Sequence, residues 1–94
     1  MQEIDKYKLL ILPVLRRYLI KRAAIFGSIA KGNHNSNSDI DLLIEGDSTF
    51  TMFKLLSLEE EISQIVNRKV DLVEYGAIKS SMRNEVLQSA ITIL

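Results

Sequence analysis

Three short apolar runs, residues 22–26, 40–45 and 69–74, limit what this chain can fold into more than any other feature. Each is too short for a stable helix, is rich in aliphatic or aromatic residues, and is followed within two positions by a glycine (Gly27, Gly46, Gly76). That combination predicts buried strands. The stretches around them carry apolar residues at helical spacing: Ile4, Tyr7, Ile11, Val14, Leu15 and Tyr18 in residues 2–20, Phe53, Leu55, Leu58, Ile62, Ile65 and Val66 in residues 50–66, and Ile78, Met82, Val86, Leu87 and Ala90 towards the end. Strands alternating with helices predict an α/β domain, a small sheet of about three to four strands with helices packed on it. The β-branched end at Ile91, Thr92 and Ile93 predicts a short edge strand.

Local signals refine this outline. Pro13 lacks an N–H and clashes with the preceding turn, so the first helix is expected either to kink there or to restart. Leu9, Leu10, Leu12 and Leu19 widen its apolar stripe, which suggests cover on more than one side. Residues 28–31 suit a short helix stopped by Gly32, and residues 33–38 form a polar loop of turn-favouring types. Glu59, Glu60 and Glu61 are expected on the outside of the second long helix, and Asn67 suits its C-terminal cap.

Ninety-four residues make one small domain, 1–94, and an apolar fraction of 47% argues against disorder. Twelve basic residues balance twelve acidic ones, so binding to nucleic acid through bulk charge is not expected. The absence of cysteine excludes disulfides, thiolate zinc sites and a thiol nucleophile. The longest apolar stretch, residues 9–15, is too short for a membrane span, and the acidic start does not resemble a signal peptide. A cytoplasmic protein is expected.

The chemistry concentrates in Gly27-Ser28, followed after ten residues by Asp39-Ile40-Asp41. Glycine lets backbone approach a phosphate closely, and Ser28, at the start of a short helix, offers a hydroxyl and an N–H where the helix dipole favours anions. Lys31 can add a positive charge for the phosphates. Alternation along a strand puts Asp39 and Asp41 on one face and Ile40 on the other. Two like charges on an apolar strand are costly unless a cation neutralises them, and magnesium does so while leaving positions for phosphate oxygens. Asp71, between Val70 and Leu72, needs a partner of the same kind. If its strand pairs with the one carrying Asp39 and Asp41, three carboxylates converge as a ligand set for two metal ions. Glu74, on the opposite face from Asp71, is the weaker candidate. Without Gly27 and Ser28, the aspartates read as a solvated strand end.

The pattern Gly-Ser, ten residues, Asp-x-Asp, with a later acid in an apolar strand, resembles the DNA polymerase β-type nucleotidyltransferase superfamily. The phrases IFGSIAKG, SDIDLLI and KVDLVE, with the short length, resemble its smallest branch, the minimal nucleotidyltransferases (MNT). The resemblance implies a palm-like α+β fold in which Gly27 and Ser28 hold triphosphate. It also implies that Asp39 and Asp41 bridge two magnesium ions while Asp71 holds the one that activates the acceptor. ATP is the implied donor, with an acceptor hydroxyl attacking its α-phosphate and pyrophosphate leaving. Relatives commonly carry arginine where this chain has Lys31, which turns a bidentate phosphate grip into a point charge.

A chain this short has little room for an acceptor pocket, so the acceptor is expected to arrive on another protein. The likeness extends to the antitoxin half of prokaryotic HEPN/MNT pairs, which implies transfer of AMP to a tyrosine of a HEPN ribonuclease toxin. The competing class is a nucleotide-binding module that neutralises its partner by contact alone. The other polar residues read as ordinary: His34 as a solvated loop residue, Arg83 as part of a solvated helix face, Arg16 and Arg17 as helix-end charges or a contact for an acidic partner, and Tyr7, Tyr18 and Tyr75 as packing residues. The apolar first helix could serve a homodimer or the partner, or simply cover the sheet.

Overall fold

The computed structural model describes residues 3–27 and 39–94. In chain order the elements are α1 (Glu3–Arg17), β1 (Arg22–Phe26), β2 (Ile40–Glu45), α2 (Met52–Val66), β3 (Val70–Glu74), a 3-10 turn (Tyr75–Ala77), α3 (Ser80–Ser89) and β4 (Ile91–Thr92). The strands form a four-stranded sheet in the order β3-β2-β1-β4. It is mixed: β1 runs antiparallel to β2 and β4, while β2 and β3 are parallel and α2 forms the crossover between them. The short helix expected at 28–31 and the polar loop at 33–38 lie outside the described residues.

One face of the sheet makes the core. Ile40, Leu42 and Ile44 of β2, Ala23 and Ile25 of β1 and Val70 of β3 are buried with Tyr7, Ile11, Val14 and Leu15 of α1 and Leu58, Ile62 and Val66 of α2. Burying such side chains contributes about 1.5–3 kcal/mol each, and this apolar face is what drives the two long helices onto the sheet.

The helix ends follow local chemistry. Thr51 caps α2, its hydroxyl accepting from the Lys54 N–H at 3.3 Å. Asn67 closes the same helix in the left-handed conformation, φ 55°. α1 ends in paired reverse bonds, Leu19 N–H to the Arg16 carbonyl and Ile20 N–H to the Leu15 carbonyl, both at 3.1 Å. This is a Schellman closure, with buried Ile20 and Leu15 supplying its apolar contact. The left-handed position it requires is filled by Leu19, φ 59°, where glycine is the usual residue.

Several expectations need correction. α1 continues through Pro13 as one helix, so Pro13 does not open a second helical piece. Pro13 sits on the exposed side, where the Leu9 carbonyl it leaves without a donor can be hydrated. α1 is covered on one side only among the described residues, since Leu9 and Leu19 are more than 60% exposed. In α2 the buried stripe is Leu58, Ile62 and Val66, while Phe53 is 85% exposed. Glu59 and Glu61 are partly buried rather than free: Glu59 Oε2 accepts from the Leu72 N–H at 3.5 Å, and Glu61 pairs with Arg17 of α1 at 2.6 Å.

Candidate active site

The other face of the sheet carries the candidate chemistry in three rows. Register places Phe26, Asp41 and Asp71 side by side across β1, β2 and β3. Below them lie Ala24, Leu43 and Val73 in the same alignment. The last row pairs Arg22 with Glu45, Nη2 to Oε1 at 3.0 Å, and the Arg22 guanidinium sits 4.1 Å from the centre of the Tyr75 ring. The apolar middle row faces α3, and Phe26, Leu43, Val73, Ile78, Met82 and Val86 line a groove of about 210 Å³ between helix and sheet. α3 itself has no buried residue.

Asp39 precedes β2 and, by alternation, shares the face of Asp41. The Ile40 N–H donates to the Lys69 carbonyl at 2.9 Å, which carries the parallel pairing one residue past Val70. Asp41 and Asp71 are direct neighbours on adjacent parallel strands, with backbones about 4.8 Å apart. The strand pairing on which convergence depends is therefore present, with Asp41 and Asp71 side by side and Asp39 just before β2 on the same face. Their side chains do not close on a common point: no group of three acidic residues that could hold a metal ion is found among the described residues. Asp39 turns instead to Lys69, Oδ2 to Nζ at 3.8 Å.

The row is electrostatically loaded. Burial first, then the charges of Asp71 and Asp39, push the Asp41 carboxyl above the usual carboxylate range. An acceptor-only cluster in this state has the donor chemistry of a divalent cation site: oxygen ligands, mutual repulsion that a cation relieves, and a position half open to solvent. The oxygen chemistry of these aspartates suits a hard metal ion, although their side chains as placed do not form a three-carboxylate site.

Gly27 joins the row at the end of β1. Its φ is +77°, and a Cβ placed there would collide with Asp41 Oδ2. Glycine is needed twice, for its backbone conformation and because the carboxylate occupies the space of a side chain. The other expected phosphate-binding residues, Ser28 and Lys31, lie outside the described residues, as does His34. Glu74 is exposed on the opposite face, as alternation requires, and Arg83 is exposed on α3. Tyr7 is buried in the core, Tyr18 is half-buried, and Tyr75 packs beneath Arg22. Sequence reading missed Lys69; the signal was its place two residues before Asp71, which puts both on one face.

The polymerase β nucleotidyltransferase family model matches residues 10–94. The chain is 32% identical over 91 residues to a candidate protein adenylyltransferase of Methanocaldococcus jannaschii, covering 97% of this chain and 98% of the relative. Against the protein adenylyltransferase MntA of Thermococcus cleftensis it is 27% identical over 77 residues, with coverage of 82% and 78%. Among solved structures it is similar to a candidate minimal nucleotidyltransferase, with TM-score 0.82, 26% identity, and coverage of 94% of this chain and 90% of that one. It also shares the fold of a chain in the complex of a tri-AMPylated Shewanella oneidensis HEPN toxin with its MNT antitoxin, with TM-score 0.75, 19% identity, and coverage of 100% and 72%. A Gly27 turn against a carboxylate row, on a mixed sheet of this order, is thus found in a chain that belongs to the polymerase β nucleotidyltransferase family.

Proposed function

We propose that this nucleotidyltransferase moves AMP from ATP to a tyrosine hydroxyl of a partner HEPN protein, and so acts as an antitoxin. The observation that carries the reading is the parallel register of Asp41 with Asp71, on the face shared by Asp39 and against Gly27. The relatives named as protein adenylyltransferases support the type of transfer, and the AMPylated HEPN–MNT complex supports the class of acceptor. Asp39, Asp41 and Asp71 would hold magnesium, which supplies charge neutralisation on the phosphates and activation of the acceptor oxygen. The Gly27 backbone, with Ser28 and Lys31, would cradle the triphosphate.

In the reaction the tyrosine oxygen attacks the α-phosphorus, the bond from that phosphorus to the bridging oxygen of the β-phosphate breaks, and pyrophosphate leaves. Asp71 receives the phenolic proton. Most of the catalysis is positioning and charge compensation, as phosphoryl chemistry generally demands. The apolar surface beside the site suits presentation of the acceptor by a second protein.

Incubating the chain with α-labelled ATP, magnesium and a candidate HEPN partner tests the proposal. Label is expected on a tyrosine of the partner, and it should be lost in the Asp39→Ala, Asp41→Ala double variant. If the partner is inhibited equally by that variant with no label transferred, the chain neutralises by contact alone and the enzymatic reading falls.

A further inference from the structure

Among the described residues, Lys69 stands directly against the carboxylate row. Lys69 Nζ lies 3.8 Å from Asp39 Oδ2, and the backbone bond from Ile40 N–H to the Lys69 carbonyl at 2.9 Å holds the two residues side by side. Lys69 shares the face of Asp71 by alternation, so Lys69 stands to Asp39 as Asp71 stands to Asp41. Its side chain is 72% exposed and that of Asp39 40% exposed. A lysine so placed is a flexible point charge, able to leave without disturbing any packing.

We propose that Lys69 is a displaceable counter-ion of the metal site, its ammonium neutralising Asp39 until a divalent cation takes that carboxylate. The inference rests on the proposed reading of Asp39, Asp41 and Asp71 as metal ligands. An ammonium and a dication compete for the same oxygen, so Lys69 lowers the affinity of the nucleotide-free site for bare metal. Because the pair is exposed, it is weak enough to be displaced readily.

Binding of Mn²⁺ alone, without nucleotide, is the test, followed by the electron paramagnetic resonance signal of free Mn²⁺ or by calorimetry. Lys69→Met should bind Mn²⁺ about two- to fivefold more tightly than the wild type, the factor an exposed ion pair commands. Lys54→Met removes an equal charge from α2, where Nζ donates to the Thr49 hydroxyl at 3.4 Å, and should stay near wild type. Equal or weaker binding by Lys69→Met, or equal tightening by Lys54→Met, overturns the role of Lys69. Asp41→Asn separates the two layers. If it leaves Mn²⁺ binding unchanged, or if the wild type binds none, the metal-site reading itself fails and this inference with it. If it abolishes binding while Lys69→Met changes nothing, only the counter-ion falls.

Discussion

Within β2, Ile40, Leu42 and Ile44 point into the core while Asp41, Leu43 and Glu45 point the other way, so one strand serves two unlike surfaces. On the face covered by α1 and α2 the apolar side chains gain by leaving water, and stability is spread over those two helices and three strands. On the other face, beyond the apolar row under α3, like charges gather, the Asp41 carboxyl is raised above its usual range, and a left-handed glycine packs against it. The difference teaches that the first face stabilises the fold and the second draws on that stability to hold like charges together.

The comparison is broken most severely from the core side. Leu42→Ala should cost about 2–5 kcal/mol, a large share of a small domain's total stability, as measured by urea denaturation. On the other face, Asp41→Asn should reduce AMP transfer about a hundredfold or more, about 3 kcal/mol of barrier. Yet it should leave the metal-free chain no less stable at neutral pH.

The sign follows from the raised carboxyl. The folded chain holds the Asp41 proton where the unfolded chain has released it, so this group's contribution is fully present below the ordinary carboxylate value. It is lost as pH rises through the raised folded value. Stability of Asp41→Asn relative to wild type should therefore grow with pH across that window, and saturating magnesium should remove the difference by stabilising the wild type alone. Thermal melts at several pH values, with and without magnesium, check both statements.

Gly27→Ala should be intermediate. A Cβ at φ +77° costs about 1–2 kcal/mol in strain, and its collision with Asp41 adds displacement of the carboxylate. Transfer should fall more than stability does, a split read by assaying both on one preparation. The smallest effect lies far from the site. Leu19→Gly relieves a left-handed leucine at the end of α1 and should raise stability by about 0.5–1 kcal/mol without touching activity.

Much of this was legible in the residues. The strands at 22–26 and 40–45 appear where expected, the third begins one residue later than its apolar run, and Asn67 caps α2 as expected, while sequence reading missed its N-cap, Thr51. The apolar stripes were less legible. Phe53, Leu9 and Leu19 fit a helical period yet remain exposed, because periodicity reports which residues could share a face and not which face another element will reach. Arg17 read as a helix-end charge, whereas it ties α1 to α2 through Glu61, a partner 44 residues away that local pattern cannot reveal.

By itself the sequence determined the alternation of strands and helices, the separation of Ile40 from Asp39 and Asp41 onto opposite faces, and the family's Gly-Ser and carboxylate pattern. These depend on period and on residue type, which are local. Only the tertiary structure decided that β3 pairs parallel to β2 in the register that sets Asp71 beside Asp41. It alone placed Lys69 against Asp39 and packed Asp41 onto Gly27. Register between strands separated by a crossover helix is set by the packing of α2 on the apolar face, and one residue of slip would turn Asp71 into the core.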